Sequence, residues 1–228
     1  MIACRPLAAC CALLTTAGAQ AGGHFDVDDA GTLAPGQCQY ELWGSRTGHD
    51  PAITGIHIGP ACAVGPVEIG LGADRFSASG ERTVAWVGPQ AKWTFYGQGD
   101  NAALAAALSA GVVFDVTGGG RAGGQFALPV SWNALDNLQL SVNLGYDWLP
   151  GPGTRTGRGG AQAVWAVNDA VSLVAERNRA FGFWTSRLGA RVNVTPTLSI
   201  DVSAGRIGTQ SGNLRSVVIG VNQTFGSQ

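Results

Sequence analysis

Between Leu138 and Trp148 the chain alternates without a slip. Leu138, Leu140, Val142, Leu144, Tyr146 and Trp148 are apolar, and the residues between them, Gln139, Ser141, Asn143, Gly145 and Asp147, are small or polar. A period of two places the two sets on opposite faces of a β-strand. Apolar faces recur at Val67, Ile69 and Leu71, at Phe126, Leu128, Val130 and Trp132, at Leu198, Ile200, Val202 and Ala204, and at Val217, Ile219, Val221 and Phe225. From about Cys38 onward the pattern predicts twelve strands, near 38–46, 53–63, 67–76, 83–95, 102–116, 125–133, 138–148, 158–168, 171–179, 182–194, 198–207 and 214–225. Gly, Pro, Asn and Asp separate them, with no helical period and no domain break.

Many of these runs have the 9 to 11 residues that a tilted strand needs to cross a bilayer. Their connections alternate in kind. Brief turns such as "GP" at 65–66, "ND" at 168–169 and "TPT" at 195–197 follow even-numbered strands, with "FYGQGDN" at 95–101 as the exception. Longer loops such as "TGHDPA", "SASGER", "TGGGRAGG" and "PGPGTRTG" follow odd-numbered ones. Short turns on one side, longer loops on the other and an even strand number are the layout of an all-β, single up-and-down antiparallel transmembrane barrel. With both termini on the periplasmic side, the longer loops are expected to face outward. A soluble sandwich is the rival, because twelve apolar faces suffice for a double-layer core. The opposite face decides for the barrel: it is rich in Gly, Ser, Asn and Gln with scattered charges, which suits a crowded lumen more than a free surface. Tyr40, Trp93, Phe95, Trp132, Tyr146, Trp148 and Phe225 fall near strand ends on the apolar face, where an interfacial girdle lies.

The remaining composition sharpens this picture. The 228 residues include 35 Gly, 13% are charged, and 14 Lys and Arg against 15 Asp and Glu leave no basic patch for nucleic acid. Residues 1–21, "MIACRPLAACCALLTTAGAQA", put Arg5 before an apolar run that closes on small residues, and read as a signal peptide cleaved near Ala21. The competing lipoprotein box, Leu7-Ala8-Ala9-Cys10, has too few residues ahead of it. Residues 22–37 are then expected as a periplasmic N-terminal segment and 38–225 as the barrel in the outer membrane. Cys38 and Cys62 remain after cleavage. Equidistant from the hairpin turn near Asp50 and on one face, they are expected to form a cross-strand disulfide in an oxidising compartment.

"HFDVDDAGTLAPGQCQYELW", His24 to Trp43, resembles the start of the MetA-pathway of phenol degradation family, with Phe25, Asp28, Asp29, Ala30, Gly31, Thr32, Gly36, Gln39 and Glu41 at the matching positions. The resemblance covers about twenty residues and implies an outer-membrane barrel that transports small, hydrophobic or aromatic compounds. Phe225 is similar to the terminal aromatic of barrels inserted by the barrel assembly machinery, although Gly226, Ser227 and Gln228 follow it.

Motifs that suggest chemistry fail on context. Gly118 to Gly123 matches G-x-G-x-x-G but joins two strands and opens no helix. "DVDDAG" at 26–31 begins like a calcium loop, yet Ala30 and Gln37 occupy the fifth and twelfth positions where ligands belong. The three histidines are His24, His49 and His57; none stands in an H-x-S arrangement, and no G-x-S-x-G occurs. No cofactor, metal site or catalytic set is expected.

The chemistry is expected in the lumen, where Glu41, His57, Glu68, Asp74, Lys92, Asp115, Asp147, Glu176, Arg187, Arg191 and Asp201 are the candidate lining residues. Tight hairpins set His57 opposite Asp74, Glu176 opposite Arg187 and Arg191 opposite Asp201. Twelve strands about 4.8 Å apart and tilted about 40° give a backbone radius of roughly 12 Å, which leaves a narrow bore. The reading is an outer-membrane channel or facilitator for small molecules, its partners being membrane lipid, solute and assembly machinery. The alternative is a non-conducting structural barrel sealed by its own side chains.

Overall fold

The computed structural model describes residues 24–98, 102–148, 155–209 and 212–226; the expected signal peptide lies outside them. Twelve strands follow in order: β1 (Gln37–Thr47), β2 (Ile53–Val64), β3 (Val67–Ala78), β4 (Val84–Tyr96), β5 (Leu104–Asp115), β6 (Arg121–Leu135), β7 (Leu138–Trp148), β8 (Arg155–Asn168), β9 (Val171–Ala180), β10 (Phe183–Thr195), β11 (Leu198–Thr209) and β12 (Gly212–Gly226). Each pairs with its sequence neighbours, and β1 pairs antiparallel with β12 from Gln37↔Gly226 to Thr47↔Ser216. The sheet is therefore a closed barrel without a free edge.

Two of the short turns are built by side chains that accept the backbone donors left over where pairing stops. Asn168 Oδ1 accepts from the N–H groups of Ala170 and Val171, both at 2.9 Å. Thr195 Oγ1 does the same for Thr197 and Leu198, at 3.3 and 3.0 Å. Register shifts at Thr94/Tyr96, Asn133/Leu135, Ala166/Asn168 and Asn193/Thr195 sit at the short-turn ends of β4, β6, β8 and β10, the rim position where bulges end a ladder.

The burial pattern is the reverse of a soluble protein's. Leu42, Ile58, Leu71, Trp132, Leu144 and Leu188 point outward and are 46–68% exposed. Ser141, Asn143, Asp147, Asn178 and Asp201 point inward and are almost wholly covered. An outer wall of this kind fits lipid, and the sandwich reading has no support in it. Tyr40 and Phe225 meet on that wall with ring centroids 5.1 Å apart, and Trp93 and Phe95 do so at 5.9 Å.

Residues 24–33, within the expected N-terminal segment 22–37, run inside the lumen. Val27 and Ala30 are 3% and 0% exposed, and their contacts fall on strands scattered around the wall. The physical reason is mutual need: the wall offers buried cations and hydroxyls, and the segment offers carboxylates and unpaired backbone amides.

Candidate functional site: the lumen and its inserted segment

The inward faces of β8 to β11 hold one end of the segment. Glu176 on β9 accepts from the N–H groups of Asp26 and Val27 at 3.2 and 3.0 Å. Arg187 on β10 donates to the other oxygen-bearing partners: Glu176 Oε1 at 2.8 Å and the His24 carbonyl at 2.9 Å, with Asp26 Oδ2 at 3.2 Å. His24 Nε2 meets Ser203 Oγ of β11 at 2.5 Å. Burial holds the imidazole of His24, which precedes β1, down at about 4, against the opposing pull of Asp201 and with help from Arg187 and Arg191. Gln162 Nε2 on β8 donates to the Val27 carbonyl at 3.2 Å.

The other end is held by β3, β4, β6 and β7. Lys92 Nζ lies 2.7 Å from Asp28 Oδ1 and 3.4 Å from Asp29 Oδ1. Thr94 donates its hydroxyl to the Ala30 carbonyl at 2.6 Å, Ser131 accepts from the Ala30 N–H at 2.9 Å, and Ser131 in turn meets Ser141 at 2.9 Å. Glu68 accepts from the Leu33 N–H at 3.0 Å. Two inward glycines make room for the chain. A Cβ on Gly160 would stand 2.7 Å from Val27 Cγ2, and one on Gly189 would stand 3.0 Å from Phe25 Cζ.

The expected lumen residues separate into groups. Glu68, Lys92, Glu176 and Arg187 hold the segment. Arg191 and Asp201 form a two-point ion pair, Nε to Oδ1 at 2.7 Å and Nη2 to Oδ2 at 2.9 Å, and Asn222 donates to the same carboxylate at 2.8 Å. Asp147 takes Arg158 Nε at 2.8 Å and the Phe181 N–H at 2.6 Å, which draws the β9–β10 turn inward. His57 Nδ1 meets Asp74 Oδ1 at 2.7 Å while its ring stacks on Trp43, centroids 4.8 Å apart. Glu41 lies on β1 with Gln39 Nε2 at 3.5 Å. Asp115 ends β5 on the same register as Ala107 and Gly111, and its Oδ1 accepts from Thr117 N–H, Thr117 Oγ1 and Gly118 N–H at 2.9, 2.6 and 2.7 Å. Cys38 and Cys62 are cross-strand partners joined by a disulfide.

Sequence reasoning missed His24, Asp26, Asp28, Asp29 and the neutral residues Thr94, Ser131, Gln162 and Ser203 that seat them. One signal was available: Asp26, Asp28 and Asp29 stand within four residues, while Lys92 is a lone lysine on a face of small neutral side chains.

A closed twelve-stranded antiparallel barrel with an apolar outer wall and a polar interior defines a bacterial outer-membrane β-barrel. The chain belongs to the family described as Uncharacterised conserved protein UCP029691, whose model matches residues 9–225. The family shown is thus this one and not the MetA-pathway family that His24–Trp43 resembles. No curated protein sequence matches the chain. Among solved structures it is similar to the NanC porin, at 9% identity and TM-score 0.64 over 81% of this chain and 98% of that one. It is also similar to the COG4313 outer membrane channel from Pseudomonas putida F1, at 13% identity and TM-score 0.59 over 86% and 98%. Outer membrane phospholipase A from Escherichia coli shares 12% identity and a TM-score of 0.53 over 84% and 98%. At these identities the likeness is one of fold.

Proposed function

We propose that the protein is a narrow outer-membrane channel for small polar solutes, constricted by its own residues 24–33. Gln90 carries the reading: it shares the inward register of Lys92 and Thr94, yet it is exposed, so water-accessible space persists beside the segment. Gly70, its cross-strand partner, and Gly72 and Gly111 belong to the same side of the lumen. Small inward residues widen a bore that larger side chains would close. The wall offers paired charges, hydroxyls and amides, a lining that fits hydrated solutes; the hydrophobic or aromatic cargo implied by the MetA-pathway resemblance has no support once the family is a different one.

The non-conducting reading keeps one observation in its favour, the near-complete burial of Val27 and Ala30 between segment and wall. Planar-bilayer recordings decide between the two. The channel reading expects small, steady conductance from the full chain and a larger one from a variant lacking residues 24–33. Silence from the full chain with conductance only after deletion means a sealed barrel, and equal conductance means the segment is no constriction. A catalytic role is not proposed. His57 and Asp74 form a base with an orienting carboxylate, but among the described residues no Ser, Thr or Cys hydrogen-bonds to His57 Nε2. The same proposal places the longer loops outside the cell, so an epitope inserted at Gly119 should be reachable on intact cells. It also assigns insertion to the barrel assembly machinery acting on β12.

A further inference from the structure

The carboxylates of the strands are confined to one face of the barrel wall. Glu41, Glu68, Asp74, Asp147, Glu176 and Asp201 all take the inward register, and among the described residues no strand carries Asp or Glu on the outward one. Three arginines near the long-loop ends take the outward register instead. Arg177 shares the outward register of Leu173, Arg206 that of Val202, and Arg215 that of Val217 and Ile219, all of them exposed. Strand pairing sets these residues in one row across four adjacent strands: Arg177 opposite Ser186, Ser186 opposite Arg206, and Arg206 opposite Arg215. With strands about 4.8 Å apart, the backbones of Arg206 and Arg215 are direct neighbours and that of Arg177 stands roughly 10 Å from Arg206.

Two like charges directly opposite on a sheet repel, and among the described residues no outward Asp or Glu offsets them. Snorkelling into water lowers the cost but does not explain the order around Arg177. Its guanidinium lies over the Trp184 ring, 4.7 Å from the centroid, and donates to Ser186 Oγ at 2.8 Å. These contacts hold it beside Arg206 at the edge of a surface hollow of about 360 Å³, lined by Arg177, Trp184, Ser186, Arg206, Gly208 and Asn213. Directly along the strands from the row, Leu188, Val202, Ala204 and Val217 begin the apolar band.

We propose that this row is a docking site for the phosphorylated headgroup of a lipid in the leaflet on the long-loop side. Planar guanidinium groups bind phosphate through paired N–H donors, and the hollow sits at the boundary where a headgroup meets its acyl chains. A free anion satisfies the arginines alone. A phosphorylated amphiphile satisfies the arginines and the apolar band together, which is why the lipid is the favoured occupant. The inference rests on the barrel lying in a membrane and not on whether its lumen conducts.

The test uses the full chain in detergent, stripped of lipid and titrated with diphosphoryl lipid A, its dephosphorylated form, or inorganic phosphate, with occupancy read by native mass spectrometry. Wild type should retain diphosphoryl lipid A at least tenfold better than the dephosphorylated lipid, and millimolar inorganic phosphate should not displace it. The Arg206→Gln/Arg215→Gln double variant should lose that preference while keeping its heat-modifiable gel migration. Arg206→Lys, which keeps the charge without the planar fork, should fall between them and serves as the reading if the double variant does not fold. Equal retention by wild type and these variants overturns the proposal, as does equal binding of the phosphorylated and dephosphorylated lipids. Displacement by inorganic phosphate overturns the lipid as the occupant.

Discussion

Replacing Lys92 with Met removes the cation that holds Asp28 and Asp29 at 2.7 and 3.4 Å. At an effective dielectric of ~20 these attractions amount to about 6 and about 5 kcal/mol before desolvation is subtracted. The side chains of Lys92 and Asp29 are only 9% and 10% exposed, so desolvation cancels much of that gain. The decisive quantity is what stays behind: Asp28, Asp29 and Glu68, the cross-strand partner of Lys92, share one end of the lumen without their cation. Removing one partner of a buried pair costs about 3 kcal/mol or more, and at ~1.4 kcal/mol per decade the ratio of seated to released segment falls roughly a hundredfold. The reporter is Ala30→Cys, a fully covered position, labelled with a water-soluble methanethiosulfonate in reconstituted protein. Labelling should be slow with Lys92 present and about two decades faster in the Lys92→Met variant, with a matching rise in conductance; Lys92→Arg should stay near wild type. Equal labelling rates and equal conductance with Lys or Met at position 92 would refute the view that this ion pair seats the segment.

Changing Arg187 and Arg191 together to Gln leaves Glu176, Asp201 and Asp26 uncompensated, and the reversal potential under a salt gradient should move toward cation preference; an unchanged value would remove this wall from selectivity. His24, held at about 4 when seated against an ordinary 6.5, favours seating fully above pH 6.5 and loses that contribution as pH falls toward 4. At pH 5 the loss is about 2 kcal/mol, so conductance should rise on acidification in wild type and less so in His24→Ala. Cys38 and Cys62 close a separation of 24 residues, so non-reducing thiol titration should find neither free; Cys62→Ser should lower stability by about 3 kcal/mol, measured by heat-modifiable migration across a denaturant series.

The strands, their antiparallel order and the pairings His57↔Asp74, Glu176↔Arg187 and Arg191↔Asp201 were legible along the chain because each depends on a period of two and on hairpins between sequence neighbours. The face shared by Cys38 and Cys62 was legible for the same reason. What the sequence by itself could not determine is which groups meet across the bore. Val27 reaches Glu176 over 149 residues and Ala30 reaches Ser131 over 101, contacts that exist only once β1 has closed on β12 and the inward faces have become one cavity. Alternation says that Gly160 and Gly189 point inward, but not that Val27 and Phe25 need the space. The arginine row divides in the same way. The outward register of Arg177, Arg206 and Arg215 follows from strand periodicity, whereas their alignment beside Trp184 depends on the stagger between neighbouring strands. Local alternation sets which face a side chain takes; closure of the sheet, a long-range event, decides what that side chain meets there.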